Sequence, residues 1–122
     1  MPVVELNINR IRKLVSGNVT RKQILDVLPF LGLDIESEEG DEIRIEYSPN
    51  RPDYSTDYGI ATGLQGLLGI KKGIQKTPIR KKGNYSIKVD STVTKIRPYV
   101  TGIIASNGKL DDVAIKQLMN MQ

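Results

Sequence analysis

Hydrophobic and polar positions along this chain change period several times, and each change marks an element. Val3 to Asn7 read as a short strand, after which Ile8, Ile11, Leu14 and Val15 recur at helical spacing. Ser16-Gly17-Asn18 breaks that helix. Thr20 begins another, and Gln23 three residues on completes a capping box. Ile24, Leu25, Val27, Leu28 and Leu31 supply its apolar side; Pro29 predicts an irregular last turn and Gly32 its end. Alternation then takes over. Leu33 and Ile35, then Ile43, Ile45 and Tyr47, flank an acidic turn at residues 38–41, the pattern of a β-hairpin with a polar outer face.

Residues 48–70 are the most informative stretch. Pro49 and Pro52 hold the backbone out of helical geometry around Asn50 and Arg51. Ser55 is the expected N-cap of the helix that follows, with Asp57 in its first turn, where a negative charge is favoured. Ile60, Ala61, Leu64, Leu67 and Leu68 form its apolar face, and Gly69 ends it. Residues 1–70 thus predict a complete small α+β domain of strand, two helices, hairpin and helix. Residues 71–84 read as a basic linker. Beyond it, Tyr85, Ile87 and Val89 predict a strand, Val100 to Ala105 a second, and Asp111 or Asp112 caps a last helix. Two strands and a helix enclose too little core, so 85–122 is expected to be the truncated start of a second α+β domain.

Composition narrows the chemistry. The 122 residues contain no cysteine and no histidine, which removes disulfides, thiol nucleophiles and the commonest general base and zinc ligand. No apolar run approaches a membrane span, and the first residues lack the basic-then-apolar pattern of a secretory leader, so a cytoplasmic location is expected. The net charge of +4 is uneven. Lys71, Lys72, Lys76, Arg80, Lys81 and Lys82 occur together with no acid among them, and without those six the rest of the chain stands at −2. These are the candidate contacts to nucleic-acid phosphates; a solubilising linker is the equal alternative.

Arg51 and Asp53 are the residues most easily taken for a site. A guanidinium matches phosphate oxygens in bidentate fashion. The structural alternative, which we favour, pairs Arg51 with a nearby acid and sets Asp53 on backbone amides at the start of the helix. Gly59, Gly63, Gly66 and Gly69 match no phosphate-binding loop, and the first three suit close packing along one helix face. No catalytic, cofactor-binding or metal-ligating set is expected.

Two stretches carry a family resemblance. Asn50-Arg51-Pro52-Asp53, Ser55, Gly59-Ile60-Ala61 and Gly66 to Ile70 resemble the N-terminal domain of the phenylalanyl-tRNA synthetase beta subunit. Ile96-Arg97-Pro98-Tyr99, Lys109 to Asp112, Ala114-Ile115-Lys116 and Leu118 to Gln122 are similar to the opening of that subunit's editing domain. The hairpin runs straight into Pro49, without the OB-fold insertion of bacterial members, so the resemblance is to the archaeal and eukaryotic type. Tyr54 and Tyr58 stand where that family carries aliphatic or small residues.

The resemblance implies an N-terminal fragment of an ATP- and magnesium-dependent phenylalanine–tRNA ligase. It implies a tetramer of two alpha and two beta subunits that binds tRNA, with editing of tyrosyl-tRNA by the beta subunit. Such editing suits a site that discriminates poorly against an added hydroxyl. The family's aminoacylation residues lie on the alpha subunit, and its editing and magnesium-linked positions lie beyond Gln122. The fragment itself is therefore expected to bind no cofactor and to be inactive alone. Two other classes remain: an independent winged-helix-like nucleic-acid-binding module using residues 8–15 and 20–31, and a pure protein-interaction domain.

Overall fold

A computed structural model of the chain describes residues 2–74, 76, 83–104 and 108–121. The Cα positions group into two units, Met1–Ile74 with Leu110–Gln122, and Gln75–Lys109. The first unit is a three-stranded antiparallel sheet with helices. Strand β1 (Val3–Asn7) leads into α1 (Ile8–Val15) and α2 (Arg21–Val27), whose chain continues as a 3₁₀ turn over Leu28–Leu31. The hairpin β2 (Asp34–Glu39) and β3 (Glu42–Glu46) follows, then a 3₁₀ turn over Pro52–Ser55, helix α3 (Asp57–Leu67) and, much later, α4 (Asp112–Asn120).

The sheet order is β1-β3-β2, with Val4 opposite Ile45 and Leu6 opposite Ile43. Because side chains alternate across a strand, those four residues share one face and are buried, while Glu5, Glu42, Arg44 and Glu46 take the other. The buried face packs with Ile8, Ile11 and Val15 of α1, Ile24 and Leu28 around α2, and Ile60, Ala61 and Leu64 of α3. Leu67, expected on that face, is 52% exposed because the helix ends there.

The local signals operate as the sequence predicts. Thr20 Oγ1 accepts the Gln23 amide at 3.2 Å, and Gln23 Oε1 accepts the Thr20 amide at 3.0 Å. Pro29 sits within the 3₁₀ turn, which Gly32 ends at φ 74°. The α3 cap differs from expectation by one residue. Ser55 Oγ donates to the Pro52 carbonyl at 2.8 Å and is held in the preceding turn, so Thr56 Oγ1 accepts the Gly59 amide instead. Asp111 rather than Asp112 caps α4, accepting the Ala114 amide at 2.8 Å.

The three α3 glycines do not share one role. A β-carbon on Gly59 would stand 1.7 Å from the Asp53 carbonyl oxygen; one on Gly63 would meet Leu31 methyls and the Tyr54 hydroxyl at 3.1 Å. At Gly66 there is open space, so close packing does not account for that residue.

In the second unit the strands expected over 85–89 and 100–105 are not formed among the described residues. The alternating apolar pattern is present without a hydrogen-bonded ladder, and Tyr85, Ile87, Tyr99 and Ile103 are exposed. The two stretches are nevertheless neighbours, for a β-carbon on Gly102 would come within 2.6 Å of the Ile87 side chain. A 3₁₀ turn at Ser91–Val93 between them is capped by Asp90, which accepts the Thr92 amide at 2.9 Å. Helix α4, expected with residues 85–110, groups with the first unit, because its one buried side chain, Gln117, bonds there.

Candidate functional site

The turn before α3 is built from its prolines outward. The Arg51 amide donates to the Ser48 carbonyl and the Tyr54 amide to the Arg51 carbonyl, both at 2.9 Å. Arg51 then forks onto Asp53, Nε to Oδ1 at 3.0 Å and Nη2 to Oδ2 at 2.7 Å. Its guanidinium carbon lies 3.8 Å from the centre of the Tyr54 ring, which is itself buried. The acid that meets Arg51 is thus Asp53, while the Gly59 amide, near the start of α3, is served by Thr56.

Hydrogen bonding to Asp53 raises the Arg51 pKa, and the same bond lowers that of Asp53. A phosphate approaching Arg51 must compete with a bidentate carboxylate for the fork and with Tyr54 for one face.

The Arg51–Asp53 pair is about half exposed, so its value is that of a surface pair. Asp53→Ala should cost less than about 1 kcal/mol in denaturant unfolding. Because its folded pKa is depressed, the contribution of Asp53 is present above the ordinary aspartate value of about 3.9 and is lost as pH falls through the lower folded value. A variant of unchanged stability that abolished one chemical step in an intact enzyme would overturn the structural role.

A second polar constellation has no signature in the sequence. Asp57, at the first position of α3, is 2% exposed, and its Oδ2 accepts from Arg10 Nε of α1. That hydrogen bond raises the Arg10 pKa. The guanidinium carbon also stands 5.6 Å from the centre of the Tyr58 ring. The Asp57 amide, one of the donors a helix start leaves without an intrahelical acceptor, donates to Gln117 Oε1 of α4 at 2.8 Å. The sequence predicts for Asp57 only a favourable place on the helix dipole. Its ion pair spans 47 positions and its link to Gln117 spans 60, with no local pattern to announce either. A groove of about 440 Å³ runs beside the cluster, lined in part by Asn7, Asn9, Lys13 and Lys116.

Of the basic candidates, Lys71, Lys72 and Lys76 are exposed; Arg80, Lys81 and Lys82 lie outside the described residues. In α2 the polar groups of the first turn are engaged within the chain, whereas Asn9, Arg12 and Lys13 of α1 are exposed. Arg21 binds Glu38 at 2.9 Å and the Gly40 carbonyl, Lys22 binds Asp26 at 2.6 Å, and Gln23 is in the capping box. Among the described residues no cluster of three or more metal-ligating side chains occurs, and no helix is long and apolar enough to cross a membrane.

The first unit is thus a small α+β fold in which a proline-flanked turn feeds a helix whose first residue pairs with Arg10. The same fold occurs in the crystal structure of an N-terminal fragment of the phenylalanyl-tRNA synthetase beta subunit from Pyrococcus horikoshii. That chain matches with a TM-score of 0.75 and 24% identity over 99% of this chain and 36% of its own. Over all 122 residues the sequence is 39% identical to the phenylalanine–tRNA ligase beta subunit of Archaeoglobus fulgidus and 34% identical to that of Methanosphaera stadtmanae. The chain belongs to the family of archaeal phenylalanine–tRNA ligase beta subunits, and it spans 22% of the length of those two relatives. No family model matches it.

Proposed function

We propose that this chain serves as the N-terminal part of the beta subunit of a phenylalanine–tRNA ligase. In that reading the whole enzyme charges tRNA with phenylalanine using ATP and magnesium, in the cytoplasm, as a tetramer of two alpha and two beta subunits. The beta subunit's editing domain opens within residues 85–122 and continues in the rest of that subunit. The segment itself is a structural module without a catalytic site of its own; any contact with tRNA is weak. The observation that carries the reading is similarity to the beta subunits along the whole of this chain, with all 122 residues aligned.

The exposed apolar residues between 85 and 104 fit the reading, since an editing domain would need more chain to cover them. A chimera supplies the test. Replacing the matching segment of the Archaeoglobus fulgidus beta subunit with this chain should preserve phenylalanine charging when the alpha subunit is supplied. A folded, assembled chimera that no longer charges tRNA would overturn the reading.

The basic segment takes a separate test. If Lys71, Lys72, Lys76, Arg80, Lys81 and Lys82 meet tRNA, they do so as phosphate neutralisers, indifferent to sequence. Each phosphate left without its cation then lowers the slope of log affinity against log salt by roughly 0.7 to 0.9. Changing all six to Gln should flatten the salt dependence of tRNA binding and leave the first unit folded. Equal slopes for both proteins would make the segment a solvated linker.

A further inference from the structure

Helix α4 is seated in an unusual way. An amphipathic helix ordinarily buries an apolar stripe, yet here the buried side chain is Gln117, at 7% exposure. Val113, Ile115, Leu118 and Met119 are all at least 40% exposed, and no residue of α4 belongs to the hydrophobic core. Gln117 accepts the Asp57 amide, and beside it Lys116 Nζ binds Glu5 Oε2 of β1 at 2.6 Å. That hydrogen bond and charge lower the Glu5 pKa, although both side chains of the pair are about half exposed. Open grooves flank the helix at its two ends. The first, of about 440 Å³, reaches Asp112, Val113, Lys116 and Gln117; the second, of about 400 Å³, lies between Asn120 and Met121 and the prolines at 49 and 52.

We propose that α4 is a detachable strap, held to the first unit by the Gln117–Asp57 hydrogen bond and the Lys116–Glu5 ion pair. It releases without unfolding the sheet and α1–α3. A helix that buried an apolar stripe would have to expose it on leaving. This one exposes a polar amide, which water can serve, and the Arg10–Asp57 pair, which gains hydration. Release therefore uncovers the start of α3 at Asp57, which is buried with the strap in place, and opens the second groove at the end of α4. The strap is a conformational switch seated on the first residue of α3, within the stretch 48–70, and on Glu5 of β1.

Amide exchange by NMR on the 122-residue chain tests this. Gln117→Ala should accelerate exchange at the Asp57 amide and across 113–120 by about three- to tenfold, the loss of one hydrogen bond. Amides of Ile24, Ile43, Ile45, Ile60 and Leu64 should keep their protection. Unchanged exchange at Asp57 and in 113–120 would overturn the proposal. So would equal acceleration of the core amides, which would make α4 an integral part of one cooperative unit. Raising salt from about 0.05 M to about 0.5 M should accelerate 113–120 in the parent and much less in Lys116→Gln, because the ion pair is screened. Equal salt effects in the two proteins would overturn the ion-pair half of the seat.

Discussion

Replacing Gly59 with alanine is expected to destabilise the first unit by about 3 kcal/mol or more, and to do so without removing a single favourable interaction. The added carbon would lie 1.7 Å from the Asp53 carbonyl oxygen and 2.6 Å from the carbonyl carbon. Both are backbone atoms, so no rotamer change relieves the overlap. Either α3 must shift or the turn over Pro52–Ser55 must open, and that turn carries the Arg51–Asp53 fork and the buried Tyr54. Gly66→Ala is the matched control on the same helix. Its new carbon meets nothing within 4 Å, and alanine is the better helix former, so a gain of about 0.5 kcal/mol is expected. Denaturant unfolding of the two variants should therefore move in opposite directions. A loss at Gly59 no larger than about 0.5 kcal/mol would mean that the turn yields easily and does not clamp the helix start.

Arg10→Ala carries the second large effect. It leaves the Asp57 carboxylate buried without its guanidinium, and breaking a buried pair from one side costs about 3 to 5 kcal/mol. Arg10 is 27% exposed on its side chain, so the lower part of that range is expected. Changing both residues, Arg10→Met with Asp57→Leu, should recover part of the loss, because no unpaired charge then remains inside. The comparison with Asp53→Ala decides between the two acids. They lie four positions apart, and the sequence gives no difference in burial between them, yet one is half exposed and the other is 2% exposed. If Arg10→Ala cost no more than Asp53→Ala, the Arg10–Asp57 pair would not be a buried structural contact.

What could be read in advance follows the range of each interaction. The Thr20–Gln23 capping box, the Pro29 turn ended by Gly32, the hairpin, and the stop at Gly69 all depend on residues within a few positions of one another, and each is where the spacing puts it. The α3 cap moves from Ser55 to Thr56 because a competing local bond, to the Pro52 carbonyl, claims the serine hydroxyl first. Long-range polar bonds have no such signature. Gln65 looks like any polar helix residue, yet its amide donates to the Leu14 and Val15 carbonyls at 3.1 and 3.2 Å and so closes the end of α1. Gln117 and Arg10 are likewise ordinary by composition and buried or paired only by topology. Around 85–104 the opposite holds: alternation predicts strands, but a ladder needs partner backbones, and none pairs with this stretch among the described residues.

The register slip in β2 bears on how this molecule meets its own copies. Pairing with β3 steps from Ile35 opposite Ile45 to Ser37 opposite Arg44, leaving Glu36 as the extra residue. Strand β2 is also one of the two outer strands, and Asp34, Glu36, Glu38 and Glu39 are strung along it. A neighbouring strand that tried to continue the sheet would find its hydrogen-bond template interrupted after two residues and carboxylates on either side of the break. Fibrillar growth by edge-to-edge addition is blocked at this margin by one inserted glutamate and the charge around it.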